Sequence, residues 1–392
     1  MNTYHALGLH MHQLPGYLDH LIETYEFEAE QIIRCYERAV RYAHNFKDVG
    51  RLHVSFSGVL LEQFQNSKIV DRYRRFIDIP AMLASYRSAT NIEIIGMGYS
   101  HPIFPLIPIE DWKEQLNKDR KIMQKIFGRA PQGFWPPEMV FCMEMVPALV
   151  EAGYEYVIVD AAHIQPQDGD YDFYRPYKAT YNGATIAVVP RERSISNGQE
   201  SGMNQKWFAD QVADKVWHSP HPAEPRLVTT WSNGENGGWF LQMHEESGFF
   251  GHFFKPYLEG VKSGDIQIQP ILLGEYLQEH PPVQEAARVG AWNVDSAPEG
   301  DFSRWIRSKT QREAVEAIRN ASKRYWTLAD PANKTRLSAD ARSKLAKARD
   351  LILESETSDF LFGGDTWVST KFKECIGSAD ELLAKAEATV NP

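Results

Sequence analysis

The segment GFWPPEMVF (Gly133–Phe141) sets a single carboxylate, Glu138, three positions after an indole, Trp135, with Pro136 and Pro137 between them. Two consecutive prolines cannot continue a sheet ladder or enter a helix interior, so the chain must leave a short strand at this point. An acid and an aromatic ring at a strand's C-terminal end suit carbohydrate chemistry in a barrel. The carboxylate would attack an anomeric carbon, and the ring would support the apolar face of the sugar. The other reading of the same residues is a surface glutamate after a proline-rich turn.

A second group with chemical potential is His10 and His12 in LHMHQLPG (Leu9–Gly16). Side chains alternate along a strand, so both imidazoles point to one side. Imidazoles at this spacing can share a metal ion, as in a metal-dependent amidohydrolase or a deacetylase-like barrel, with His101, Asp160 and His163 as further ligands. They can equally hydrogen-bond a polar substrate. Glu93 also admits two readings, as part of a substrate pocket or as the buried partner of a cationic side chain.

These residues need elements to position them. Tyr4–His12, Arg51–Ser57, Ile92–Ile95, the segment before Glu138, Tyr156–Asp160, Thr185–Val189 and Leu227–Trp231 read as strands. Helices intervene, the clearest over Glu26–Asn45, where Ile32, Ile33, Tyr36, Val40 and Ala43 fall near one face. Others run through Trp112, Leu116, Met123 and Ile126, then Met143–Glu151 and Met203–Val216. Strands alternating with helices predict an α/β fold with a parallel sheet under helices, closed as a barrel over residues 1–300. Beyond it Arg304–Trp326, Ala339–Glu354 and Ser369–Ala388 read as helices, a C-terminal helical subdomain over 301–392.

A formal net charge of -10 argues against nucleic acid or an anionic membrane as partner. No apolar run approaches a membrane span and no basic leader opens the chain, so a cytoplasmic location is the default expectation. Cys35, Cys142 and Cys375 are too few and too widely spaced for a disulfide framework or a zinc knuckle. Aromatic residues are abundant, with 10 Trp, 17 Tyr and 20 Phe, which fits either an aromatic-lined cleft or a large aromatic core. HEESGFFGHFF (His244–Phe254) fits a cleft wall or a helix packed on the barrel.

Read together, the strand ends resemble a known family. LHMHQLPG, IEIIGMGYSHPIFPLIP (Ile92–Pro108), GFWPPEMVF, WSNGENGGW (Trp231–Trp239) and AWNVDSAPEGDFSRW (Ala291–Trp305) resemble, in order, the five regions of glycoside hydrolase family 57. ETSDFLF (Glu356–Phe362) resembles a further family element. The family includes α-amylases, 4-α-glucanotransferases and α-1,4-glucan branching enzymes. The resemblance implies an incomplete (β/α)7 TIM-like barrel with a helical C-terminal region, and retaining chemistry on α-glucans or maltooligosaccharides without metal or cofactor. It implies a nucleophile at Glu138. A retaining enzyme needs a second carboxylate roughly 5–5.5 Å away to protonate the leaving oxygen and later activate an acceptor. The resemblance also implies substrate-binding roles for His10, His12, Glu93, His101, Trp135, Asp160, His163, Trp231, Glu235, Trp239 and Trp305. Trp135 is the first choice for stacking. Trp231 also reads as core, Trp239 sits one residue off the usual aromatic spacing, and Asp160 also reads as a helix N-cap.

Two regions depart from the pattern. Where the family usually has His-Gln-Pro, this chain has His12-Gln13-Leu14-Pro15. Where the acid/base Asp is expected, it has Asn233, ahead of Gly234-Glu235. Asn matches Asp in shape but transfers no proton at neutral pH, and general acid/base catalysis contributes about 10²–10⁴-fold. Three readings stand: a substituted chain that traps substrate, a non-catalytic glucan-binding homologue, or Glu235 as the proton donor. Hydrolysis, transglycosylation and branching share one intermediate and differ in the acceptor. The chain's length leans toward an amylase or glucanotransferase. Oligomeric state is not legible.

Overall fold

The computed structural model describes residues 3–167, 169, 171–221, 223–235, 245–285, 302–362 and 366–389. Trp239 and most of Ala291–Trp305 lie outside them, as does the expected boundary at residue 300.

Seven parallel strands carry the site. β1 (Thr3–Met11) lies between β2 (Leu52–Phe56) and β8 (Arg226–Asn233), and β2 pairs with β3 (Ile92–Ile95). β4 (Gly133–Phe134) pairs with β5 (Tyr156–Asp160), and β5 with β7 (Ala184–Arg191). Two single links join these groups into a ring. The Gly96–Phe134 bridge connects β3 to β4, and the Glu192 amide donates to the Thr229 carbonyl at 2.8 Å beside β7 and β8. Full ladders on five seams and single contacts on two make an incomplete (β/α)7 barrel. β9 (Gln269–Pro270) adds to the base of β1.

β6 (Tyr177–Tyr181) is the exception, antiparallel to β7. Asn182 and Gly183 join them with φ of 48° and 81°. An Asn-Gly pair adopts this left-handed turn at little cost, and it is a hairpin signal visible in the sequence.

The pleat sorts side chains between two layers. Leu7, Leu9, Met11, Leu52, Val54 and Phe56 face outward into the main apolar cluster with the surrounding helices. Tyr4, Ala6, Ile95, Trp135, Tyr156, Ile158, Val189, Leu227 and Trp231 fill the barrel interior. Gly8 lies opposite Trp231 in the β1–β8 register, and a Cβ there would sit 2.1 Å from the indole. Only glycine leaves room for that ring.

The C-terminal helices Lys309–Ala329, Ala339–Ser355 and Thr366–Glu387 share their own apolar cluster. A buried polar clamp fixes them to the helix Ile109–Phe127. Arg349 pairs with Asp111 at 2.7 Å and with Glu114, and the Trp326 indole donates to Asp111 at 2.7 Å. Among the described residues, no helix is long and apolar enough to cross a membrane.

Candidate active site

Glu138 sits on a single turn, Pro137–Met139, immediately after β4. Its φ is 55° and that of Met139 is 58°; His101, after β3, has φ 63°. Non-glycine residues in this region cost about 1–2 kcal/mol each and persist only where the surroundings impose them, most often at functional sites. Both strained turns lie at the C-terminal mouth of the barrel.

The helix Ile109–Phe127 holds the turn that delivers His101. Asp119 accepts from the Met97 and Gly98 amides at 3.1 and 3.2 Å, and Gln115 accepts from the Ser100 amide at 2.9 Å. Burial pushes the Asp119 carboxyl up to about 7 despite those amides. From the other side, the turn after Ala339–Ser355 enters the mouth. The Ser358 amide donates to the His101 carbonyl at 3.0 Å, and the Ser358 hydroxyl lies 2.8 Å from His101 Nδ1.

Asp359 follows at once and meets His12. His12 Nε2 donates to Asp359 Oδ2 at 2.7 Å, while the Ser57 hydroxyl pairs with Nδ1 at 2.7 Å. Thr357 Oγ1 lies 3.3 Å from His12 Nε2. Burial would raise the Asp359 carboxyl, but the adjoining His12 and its hydrogen bond hold it below the ordinary carboxylate range. Glu138 shows the opposite behaviour: burial first, and the charge of Asp359 second, push it up to about 7, against a partial offset from Arg304. Burial and the charge of Asp359 thus push Glu138 the same way, while His12 keeps Asp359 ionised.

An aromatic stack runs through the interior beneath them. His101 stacks on His12 with ring centroids 4.2 Å apart, and His10 stacks at 5.6 Å from His101 and 5.8 Å from Trp135. Trp135 continues onto Trp231 at 5.0 Å. Burial and the neighbouring His12 lower His10 to about 4, against a hydrogen bond to the Asn233 side chain that raises it. Burial, then His12 and His10, hold His101 well below the usual histidine value. His10 and Asn233 are direct partners in the β1–β8 register, so Asn233 shares the inward face with His10, and its side chain is exposed.

Of the expected site residues, His10, His12, His101, Glu138 and Asn233 come together at one mouth. Glu235 lies alongside but turns away, accepting from Gln13 at 3.0 Å and from Tyr36. Asp160 accepts from the Ala162 amide at 3.0 Å as an N-cap and from Arg193 at 2.7 Å. His163 is buried within the turn that Asp160 caps.

Glu93 is not brought to the mouth. It is the second residue of β3 and faces the barrel floor, where it accepts from Tyr156 at 2.8 Å and the Gly274 amide at 3.1 Å beside His53 at 3.5 Å. The expectation of Trp135 as an open sugar platform is not met either. Trp135, Trp231 and Trp305 are each 0 % exposed. Trp135 and Trp231 cover each other, and Trp305 packs with Ile103, Val140 and Leu361 where barrel and helices meet.

Among the described residues, His12, His101 and Asp359 form a group that could hold a metal ion, rather than the His10–His12 pair. Their rings lie within 13° of parallel. An ion in the plane of one ring is then out of plane for the other, so ligation requires a ring to turn. The sequence signal for Asp359 was the ETSDFLF element, which gave it no role.

The sequence model of glycosyl hydrolase family 57 matches residues 2–288. Alpha-amylase 1 of Dictyoglomus thermophilum is 31 % identical over 330 residues, covering 81 % of this chain and 43 % of its own. A 4-alpha-glucanotransferase of Thermococcus litoralis is 29 % identical over 189 residues, covering 48 % and 26 %. The chain thus spans less than half the length of these relatives. Among solved structures, a branching enzyme of this family from Pyrococcus horikoshii superposes with a TM-score of 0.74 at 18 % identity, covering 100 % of this chain and 95 % of its own. An alpha-amylase from Thermotoga maritima gives 0.71 at 16 % identity, covering 100 % and 97 %. At these identities the superpositions speak for the fold.

Proposed function

The chain belongs to glycosyl hydrolase family 57, and from that premise we propose that it acts on α-1,4-glucans by retaining glycosyl transfer through Glu138. The α-amylase and 4-α-glucanotransferase relatives support the substrate class. The observation that carries the reading is Glu138 itself: one carboxylate on a strained turn at the barrel mouth, beside a second carboxylate and three imidazoles. Retaining transfer requires Glu138 to attack the anomeric carbon as a carboxylate, forming a glycosyl ester that water or a sugar hydroxyl then opens.

Asn233 occupies the family's acid/base position and turns toward His10 rather than toward a proton source. Asn233 alone favours a second reading, a glucan-binding homologue without turnover. Glu235 is a poor substitute, because Tyr36 and Gln13 already engage it.

The test is to incubate the chain and its Asn233→Asp variant with maltooligosaccharides and resolve the products by length. Restored acid/base chemistry raises turnover by about 10²–10⁴-fold, whereas Glu235→Gln changes it little. An Asn233→Asp variant no more active than its parent favours the binding homologue.

A further inference from the structure

The helix Gln205–Trp217 lies between β7 and β8 in the chain and covers the barrel wall. Its inner face is Phe208, Val212 and Val216, all buried. Phe208 packs on His5, low on β1, with ring centroids 4.6 Å apart, and on Tyr257 at 5.2 Å. At about 100° per residue these three side chains span about 80° of the helix. Trp207, Asp210, Asp214 and Trp217 fall on the opposite side, and each is three or four positions from the next, so they form one outward stripe. All four are exposed. Trp207 is 47 % and Trp217 67 % exposed, whereas Trp112, Trp135, Trp231 and Trp305 are buried. The two indoles lie about 15 Å apart along the axis, at about 1.5 Å per residue. His218, 3.3 Å from Asp214, closes the stripe at its far end. A lone surface aromatic needs no explanation, but two on one face with carboxylates between them make a surface that can bind.

We propose that the Trp207–Trp217 stripe is a second polysaccharide-binding site, which holds an α-glucan strand on the barrel wall away from the mouth. The choice of α-glucan rests on the proposed action on α-1,4-glucans. Each indole offers a flat apolar face to the C–H face of a pyranose, and the carboxylates of Asp210 and Asp214 accept from hydroxyls at the ring edges. The separation of the indoles exceeds one sugar ring, so the occupant is a chain segment. A neutral polymer is not repelled by the two aspartates or by the net charge of -10, as nucleic acid or an anionic membrane would be. A second copy of the chain fits less well. Two-fold pairing of this helix sets Asp210 against Asp214 of the copy. At about 250 Å² per indole, the exposed parts of the two rings offer about 290 Å², well short of the roughly 800 Å² per partner of a stable interface. A long glucan held here stays near the mouth at a raised effective concentration.

The experiment is native electrophoresis of the full chain in gels cast with soluble starch, with β-linked hydroxyethylcellulose, or with no polysaccharide. The parent is compared with Trp207→Ala, Trp217→Ala, the double variant and Trp217→Phe. Each is checked for an unchanged circular dichroism spectrum and melting curve, as expected for exposed positions. Starch should retard the parent. The dissociation constant read from the retardation should rise about tenfold in each single alanine variant and further in the double one, while Trp217→Phe, which keeps a ring, retains part of the affinity. Equal retardation of parent and double variant by starch overturns the inference, because the glucan is then held elsewhere. So does a parent retarded in neither gel, or a parent that sediments as a dimer while the double variant is a monomer, since the stripe then joins two copies. Retardation by the β-linked polymer alone, lost in the double variant, keeps the stripe as a polysaccharide site and refutes instead the α-glucan reading beneath it.

Discussion

Glu138→Gln should make this protein more stable at pH 8 and leave it nearly unchanged at pH 4.5. The folded state raises the carboxyl from 4.5 to about 7. Its contribution to stability is therefore full below about 4.5 and is lost as the pH rises through about 7. At about 1.4 kcal/mol per pH unit, that rise corresponds to about 3 kcal/mol. Glu138 is only partly buried, and water on its cleft side screens the field, so about 1–2 kcal/mol is the expected gain. Gln keeps the shape and the strained φ, which leaves the lost charge as the main difference. The assay is urea denaturation of parent and variant at both pH values. Equal differences at pH 4.5 and pH 8, or a less stable variant at pH 8, would refute the reasoning. Asp359→Asn should act on the same group from outside, moving the Glu138 transition to lower pH.

Three further outcomes follow from the geometry. Gly8→Ala drives a methyl into the Trp231 ring, and such overpacking should cost about 1–3 kcal/mol or more in denaturation; an unaffected midpoint would mean that the indole has room to move. Arg349→Met leaves Asp111 buried with its main cationic partner gone, so about 3–5 kcal/mol should be lost, as a denaturant titration would register. Zinc should leave the melting temperature unchanged, because the stacked rings of His12 and His101 do not point at a common ion. A stabilisation of about 2.7 kcal/mol at a hundredfold excess over Kd would show that a ring turns, and would favour a metal-dependent hydrolase.

Much of the barrel was legible because strand–helix alternation and pleat parity are local signals. The same parity accounts for what was misplaced. Glu93 faces inward as alternation requires, but parity gives a face and not a depth. The second residue of β3 lies at the floor, and His101, eight positions on, reaches the mouth. For Trp135 the sequence fixes proximity to Glu138 but not exposure, which depends on His10 and Trp231 arriving from other strands. The Tyr177–Tyr181 strand runs antiparallel through the Asn182-Gly183 turn, a local signal that breaks the βα rhythm of its neighbours. Asp359 reaches His12 across 347 positions through a helical clamp, and no periodicity announces a contact of that range.

The central claim is that Glu138 forms the glycosyl bond. A slowly turned-over fluorinated α-maltosyl fluoride, followed by proteolysis and peptide mapping, measures this directly. The account predicts one stoichiometric label on the peptide containing Trp135–Phe141, at Glu138, and none in Glu138→Gln. A label on Asp359 or Glu235, or labelling that survives Glu138→Gln, would contradict it.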